Sequence, residues 1–499
     1  MSQSTEQSSA RRDFLRQSGY GLASIALASL LEADGRTEPG HADDSFRSFD
    51  LNPKPSHAPG RAKAVIQLVQ TGGPPQQDLF DRKPELQKRD GEIYQLKMDP
   101  FQAGGERNML LGCPFNFRRY GQSGMEMSEL IPHIGSIADE ICLVRSGFTL
   151  HNNHPEATSV LATGKIFSTR PSLGAWVTYA LGTENENLPA FVVLRDPDGY
   201  STGGTLLSQS GWLPALYGGT EFNSRGPAIH NLNPPESMPP EIRHRMLRYL
   251  GTLNEKHRER YPNDSGLDTR IRNFELAARI QLSATDVMDL SNETEETLKL
   301  YGLDDRTIWD SVPDGNEDSI VPGHYAKGCL MARRLIEAGV RYVQVFAGRG
   351  QPWDFHWGIK NNLPGMCRVN ERASAALILD LKRRGLLDDT VVLWTGEFGR
   401  LPIMQERGGN HVPGRDHNKR AISYWLAGGG FQRGFTYGKT DEVGYESVEN
   451  RVSMPDPFAT ISHQLGLDHE QVSFPQAGRN ETLSDAEATG AKICHDLIA

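Results

Sequence analysis

Ala64-Val65-Ile66-Gln67-Leu68-Val69 is an apolar, β-branched run of strand length that stops at Gly72-Gly73-Pro74-Pro75. A run apolar at nearly every position, rather than at alternate ones, predicts a strand buried on both faces, and the Gly-Pro cluster predicts the turn that ends it. The same signature recurs at Ile141 to Val144, Phe191 to Leu194, Tyr342 to Phe346, Thr390 to Trp394 and Ile422 to Leu426. Helical patterns lie between these runs. His324 to Ala338 is followed by Gly339 as a helix stop, and strand resumes at Arg341-Tyr342-Val343. Val369, Ala373, Ala376, Leu377 and Leu381 keep helical spacing up to Gly385, and Asp388-Asp389-Thr390 leads into the next strand. The expected fold is therefore α/β, a mostly parallel central sheet with helices on both faces.

Outward from that core, the stretch from Pro197 to about Asn316 reads differently. It holds turn-rich polar segments and long helical patterns at Pro239 to Arg258 and Leu267 to Ser283, and is expected to be a helical insertion spanning about 197–316. At the other end, Arg11-Arg12 precede Asp13-Phe14-Leu15 and an uncharged stretch from Gln17 to Leu31. Paired arginines ahead of a short apolar run predict a twin-arginine export signal over residues 1–31, with the twin-arginine machinery as a partner and a periplasmic or extracellular destination. The run falls short of the roughly 20 apolar residues a spanning helix needs, so no transmembrane span is expected in the mature protein. Residues 32–60, rich in Asp, Glu, Pro, His and Gly, read as a linker, and residues 61–499 as the folded domain.

Composition excludes several classes. The chain has 499 residues with 53 Lys+Arg against 63 Asp+Glu, a net charge of −10, so no general attraction to nucleic acid is expected. Its 5 cysteines are widely spaced with no C-x-x-C pair, which argues against a disulfide scaffold or a thiolate zinc site. There is no G-x-x-x-x-G-K-[ST] phosphate loop, no H-E-x-x-H, and Gly121-Gln122-Ser123-Gly124 lacks the last glycine of a serine-esterase elbow.

Ligands of parallel sheets bind at the carboxyl ends of the strands, and polar, metal-competent side chains gather beside the expected strands. Asp78 and Asp81 follow the first strand, and His151-Asn152-Asn153-His154 follows the second. Trp353-Asp354-Phe355-His356 follows Phe346, Glu397 and Arg400 follow Trp394, and Gly414-Arg415-Asp416-His417-Asn418 precedes Ile422. Carboxylate and imidazole donors without thiolates suit a divalent metal ion such as Zn, Mn or Ca. Asp354, His356, Glu397, Asp416 and His417 are the expected ligands of a one- or two-metal site. Asp78 and His154 are the expected catalytic residues, Asp78 supporting the site and His154 facing the substrate, and Asn153, Arg400 and Arg415 are expected to bind an anionic substrate. His154-Pro155 also reads as the start of a helix up to Gly164, and each loop Asp or His taken singly also reads as a helix cap or turn residue.

Five segments together are similar to the domain-of-unknown-function-1501 family. They are Thr71-Gly72-Gly73-Pro74-Pro75-Gln76-Gln77-Asp78-Leu79-Phe80-Asp81, Arg170-Pro171-Ser172-Leu173-Gly174-Ala175-Trp176, Gly396 to Arg400, Gly414 to Asn418 and Ala427-Gly428-Gly429-Gly430. The twin-arginine segment agrees with this. The resemblance implies an exported, sulfatase-like protein of alkaline-phosphatase-like architecture, acting on a phosphate or sulfate ester such as a substituted glycan. Asp456 to Ile461 with Leu465-Gly466 resembles a helix near the end of sulfatases, and Leu161-Ala162-Thr163-Gly164 resembles the segment after their nucleophile. By that count the nucleophile position falls at His154, where no Ser, Thr or Cys stands. The sulfatase Asp-Asp after the first strand is matched by Gly72-Gly73, and the Asp-His of Ser-Asp-His-Gly by Glu397-Phe398. These departures leave a second reading open: a catalytically silent relative that binds an extracellular glycan or a partner protein.

Overall fold

A computed structural model describes residues 49–95, 99–100, 102, 107–167, 169–223, 239–261, 271, 276, 287–304, 323–405 and 412–499. The six apolar runs are all strands of one sheet, joined by three further strands. In chain order these are β1 (Ala64–Val69), β2 (Ile141–Phe148), β3 (Phe191–Arg195), β4 (Thr220–Asn223), β5 (Tyr342–Phe346), β6 (Thr390–Thr395), β7 (Ile422–Ala427), β8 (Phe435–Tyr437) and β9 (Val452–Ser453). They lie in the order β8-β2-β7-β6-β1-β5-β3-β4, with β9 also beside β2. Every residue of β1, β5, β6 and β7 is buried, which requires cover on both faces and explains the unbroken apolar runs.

All pairs are parallel except those of β7, which runs antiparallel to both β2 and β6. That reversal matters for function. The residues before β7 arrive at the same rim as the residues after β1, β2, β5 and β6, so loops from five strands meet at one edge of the sheet.

The helices around the sheet include α1 (His154–Thr163), α2 (Leu173–Leu181), α3 (Pro240–Arg260), α4 (His324–Glu337) and α5 (Ile359–Arg383). Gly164 closes α1 in the left-handed region at φ 78°, the conformation glycine adopts without a Cβ penalty. α5 starts ten residues ahead of the periodic stretch that announced it, and carries Pro364 inside its early turns. The stretch expected as a helical insertion holds α3 and a short helix at Glu295–Leu300, but it also contributes β4, the last strand of the sheet. The pattern at Leu267 to Ser283 lies outside the described residues, apart from Ile271 and Leu276.

The segment expected as an export signal also lies outside the described residues, as does the expected linker up to residue 48. Residues 49–60 are not a free tether. Lys54 donates its backbone N–H to Leu181 O (3.0 Å) and its ammonium to Tyr179 O (2.8 Å), and Tyr217 donates its hydroxyl to Asp50 O (3.1 Å). The five cysteines are free thiols. Among the described residues, no helix is long and apolar enough to cross a membrane.

Candidate metal centre

The loop after β5 is fastened to the loop after β1. Trp353 donates its backbone N–H to Thr71 O (3.2 Å) and its indole N–H to Gln70 Oε1 (2.9 Å). The contact requires glycine at position 72. Gly72 has φ +110°, and a Cβ there would stand 2.6 Å from Trp353 N and 2.7 Å from Asp354 N. Gly72 thus makes room for the loop that brings in Asp354. On the other side, Arg415 N–H donates to Phe355 O (2.9 Å), and a two-residue antiparallel ladder sets His417 opposite Arg400.

Three imidazoles converge on Asp354. Its Oδ1 lies 3.0 Å from His356 Nε2 and 3.3 Å from His417 Nε2, and its Oδ2 lies 3.4 Å from His154 Nε2. His356 Nε2 and His417 Nε2 are themselves 3.0 Å apart. Each ring meets an acceptor on its far side. His154 Nδ1 faces Glu397 Oε1 (2.6 Å), His417 Nδ1 faces the backbone carbonyl of Asn152 (2.8 Å), and His356 Nδ1 faces Gln405 Oε1. A carbonyl only accepts, so His417 carries its proton on Nδ1, and in the neutral ring the Nε2 lone pair points inward. The Glu397 carboxylate likewise only accepts, so His154 carries a proton on Nδ1.

Electrostatics follow this packing. Burial alone would push the Asp354 carboxyl up, but the Arg400 guanidinium and the surrounding imidazoles hold it well below the usual carboxylate range. Burial pushes His417 down to about 4, with the charges of Arg400 and His154 adding to the effect against the pull of Asp354. For His154, burial lowers the pKa but Asp354 and Glu397 outweigh it, leaving it raised to about 8. The Nε2 of His154 is buried, with Asp354 Oδ2 3.4 Å away.

The residues fit a metal ion. Ligand atoms of His154, Asp354 and His417 lie within 4.8 Å of one another, as do those of His356, Asp416 and His417. Inward lone pairs facing each other and a carboxylate at about 3 Å repel unless a proton or a cation stands between them. Imidazole-rich donors suit Zn or Mn; Ca, which takes oxygen ligands, is the poorer match of the three ions expected. Asp354 and His356 keep side-chain exposures of 16% and 19%, so the cluster opens to solvent on their side.

Of the other expected site residues, several are near the cluster in different capacities. Glu397 is fully buried and accepts the Gly72 N–H on both oxygens (2.9 and 3.1 Å), so it orients His154 from behind. Asp416 accepts the His417 N–H (2.7 Å) and lies 3.8 Å from His356 Nδ1. Arg400 is committed to the carbonyls of Gly72, Gly73 and Arg415 as well as to Asp354. Arg415 is fully buried and bidentate to Asp78, at 2.7 and 2.9 Å. The geometry therefore makes both arginines internal struts, against the expectation that they clamp a substrate anion. Asp78 neutralises Arg415 instead of touching the cluster. Asn153 precedes α1 and donates to Glu156 Oε2 (2.7 Å), away from the cluster.

Asn152, Gln405 and Phe398 are the residues that sequence reasoning passes over. Asn152 acts through its main chain, which carries no sequence signal. Gln405 is one amide in a polar loop. Phe398 packs its ring 4.8 Å from that of His154 and 4.5 Å from that of His417, walling the cluster on its apolar side.

Comparison with solved structures finds similarity to a sulfatase, PsFucS1, from Pseudoalteromonas sp. (11% identity, TM-score 0.32, 82% of this chain and 68% of that one). Others are a protein in the alkaline phosphatase superfamily from Vibrio parahaemolyticus (10%, 0.30, 87% and 78%) and an alkaline phosphatase from the Antarctic bacterium TAB5 (10%, 0.30, 81% and 98%). At such scores the likeness carries no inference about chemistry. Comparison with curated proteins gives no match. The family described as "Protein of unknown function (DUF1501)" matches residues 62–495, nearly the whole of the folded part, and the chain belongs to that family.

Proposed function

We propose that this protein is a metal-dependent hydrolase of phosphate or sulfate esters, exported by the twin-arginine route. One observation carries the reading: the Nε2 atoms of His154, His356 and His417 converge on Asp354 at the carboxyl rim of the sheet, with their Nδ1 atoms already engaged. Arg11-Arg12 ahead of the uncharged stretch Gln17 to Leu31 supports export to the periplasm or beyond.

His154, Asp354 and His417 would hold the ion, with His356 and Asp416 completing the set. When bound, a zinc or manganese ion supplies Lewis acidity toward a phosphoryl or sulfuryl oxygen. The protein's own part is positional. Glu397 and the Asn152 carbonyl fix the rings of His154 and His417, Arg400 keeps Asp354 ionised, and Phe398 excludes water from one wall. The partly exposed edge of Asp354 and His356 is where the ester would enter. A sulfated or phosphorylated glycan is the proposed substrate class.

The test is a screen of phosphate and sulfate esters with Zn and Mn added back to chelated protein, run alongside metal analysis. Hydrolysis that needs the metal and disappears in Asp354→Asn is expected. Folded protein that binds no metal and cleaves no ester would instead support the silent, glycan- or partner-binding reading, which the absence of a hydroxyl or thiol at position 154 favours.

A further inference from the structure

Trp176, Trp353, Trp394 and Trp425 are fully buried, whereas Trp357 leaves 44% of its surface in water. A lone exposed aromatic is ordinary on a protein surface, but one that borders a candidate site is informative. Trp357 directly follows His356. The chain bends at His356, so the two side chains do not point to opposite faces as neighbours in a straight strand would. Their ring centroids lie 6.0 Å apart, with planes 34° from parallel. His356 Nε2 in turn stands 3.0 Å from Asp354 Oδ1, and both of those side chains are partly exposed. Asp354, His356 and Trp357 thus lead stepwise from the cluster to solvent, and the indole continues the open edge of the site.

The backbone that carries this indole is fixed. Trp357 pairs antiparallel with Pro413, and the bonds around the pair run in both directions: Arg415 donates its N–H to Phe355 O (2.9 Å), Gly358 to Val412 O (2.7 Å) and Ile359 to Pro413 O (3.2 Å). Gly414 permits the approach, since a Cβ there would stand 2.3 Å from Phe355 O and 2.4 Å from Trp357 N. An indole on a pinned backbone has only two torsions left to settle, so holding it against a ligand costs little entropy. A rigid, half-exposed indole beside a polar cluster suits a ligand with one apolar face and a wet rim. A pyranose ring has both: its C–H bonds meet the electron-rich indole face, and its hydroxyls stay in water. A flat aryl group, apolar on both faces, would leave its outer face in water on so open a wall.

We propose that Trp357 is the platform of a sugar subsite at the mouth of the cluster, where the C–H face of a pyranose stacks on the indole and its ester group reaches the open edge at Asp354 and His356. The placing of the ester rests on the hydrolase reading above, whereas stacking on Trp357 needs no metal.

Two measurements on the full chain test this. The first is saturation-transfer NMR on chelated protein with the methyl glycosides of galactose, glucose and N-acetylglucosamine, each unsubstituted, 6-sulfated and 6-phosphorylated. Ring C–H protons of at least one glycoside should receive saturation. Trp357→Leu, which keeps apolar bulk without a π face, should weaken that binding about three- to tenfold, and Trp357→Phe should retain most of it. The second compares kcat/KM for a glycoside ester with that for the ethyl ester of the same anion, with Zn or Mn restored. The preference for the glycoside should fall by a similar factor in Trp357→Leu, through KM. The subsite is overturned if no glycoside is saturated by the wild type, or if Trp357→Leu, with circular dichroism unchanged, binds glycosides or prefers their esters as the wild type does. Loss of ring-proton saturation in Trp357→Leu from a protein that cleaves no ester would uphold the sugar platform and defeat the hydrolase reading alone.

Discussion

His356 Nε2 stands 3.0 Å from His417 Nε2, and Asp354 Oδ1 closes the triangle at 3.0 and 3.3 Å. With the Nδ1 protons directed outward to Gln405 and Asn152, two lone pairs and a carboxylate face one another. Such a set is a receptor for a cation and is poorly stable without one.

The first prediction follows directly. Adding Zn or Mn to chelated protein should raise its melting temperature, with about 2.7 kcal/mol of stabilisation when free metal reaches about a hundred times Kd. Asp354→Asn removes the charge while keeping the shape, and should cancel most of that gain. Elemental analysis paired with thermal melts decides the matter. An Asn variant that retains metal as the wild type does would remove Asp354 from the site.

Among the described residues, the Glu397 carboxylate bonds the rear of His154, through Nδ1, and the N–H of Gly72. It is a positioning residue. Glu397→Gln keeps an acceptor for both groups but loses the negative charge that orients and polarises the imidazole. Metal affinity should fall about 10–100-fold, in line with other outer partners of histidine ligands. Competition with a chromophoric chelator measures this, and an unchanged Kd would show that the Glu397 charge is not used.

The pairing of Arg415 with Asp78 makes a sharper contrast between roles. Both side chains are fully buried, and the contact is bidentate. Arg415→Met leaves the Asp78 carboxylate buried without a partner, which should cost about 3–5 kcal/mol, whereas Asp78→Leu combined with Arg415→Met should cost less than either single change. Urea unfolding of the three variants tests it. If Arg415 were an anion clamp, Arg415→Met would alter ester affinity and leave the unfolding midpoint where it was.

These outcomes mark where local sequence stops being informative. Buried parallel strands are legible because burial on both faces forces nearly every residue of Val65 to Val69 or Val391 to Trp394 to be apolar. The direction of β7 is not legible, since an antiparallel central strand meets the same burial and shows the same run. β4, Thr-Glu-Phe-Asn, buries only Phe222 and carries no apolar signature. In the site, Asp354, His356 and His417 stand at strand ends in the sequence, and the fold brings their side chains together. The assignments of Arg400, Arg415 and Glu397 required knowing which partner each finds once buried, a tertiary fact no spacing encodes.

His324, the first residue of α4, gives a prediction on pH. It is almost fully buried, and its Nε2 lies 3.1 Å from the Phe346 carbonyl, so that nitrogen bears the proton of a neutral ring. Burial pushes its pKa down to about 4, opposed by the Asp196 carboxylate and helped by the charges of Arg195 and Lys327. The unfolded chain, with an ordinary histidine pKa near 6.5, binds the proton first as pH falls. The stability tied to the neutral ring is therefore complete above about pH 6.5 and is lost as pH drops toward 4, by at most about 1.4 kcal/mol per pH unit. His324→Gln keeps a donor for Phe346 O but cannot be protonated. Urea midpoints measured from pH 7.5 down to 4.5 in chelator should fall less steeply for the variant than for the wild type, because every other titrating group is shared. Two parallel curves would mean that His324 charges as readily in the folded protein as in the unfolded one.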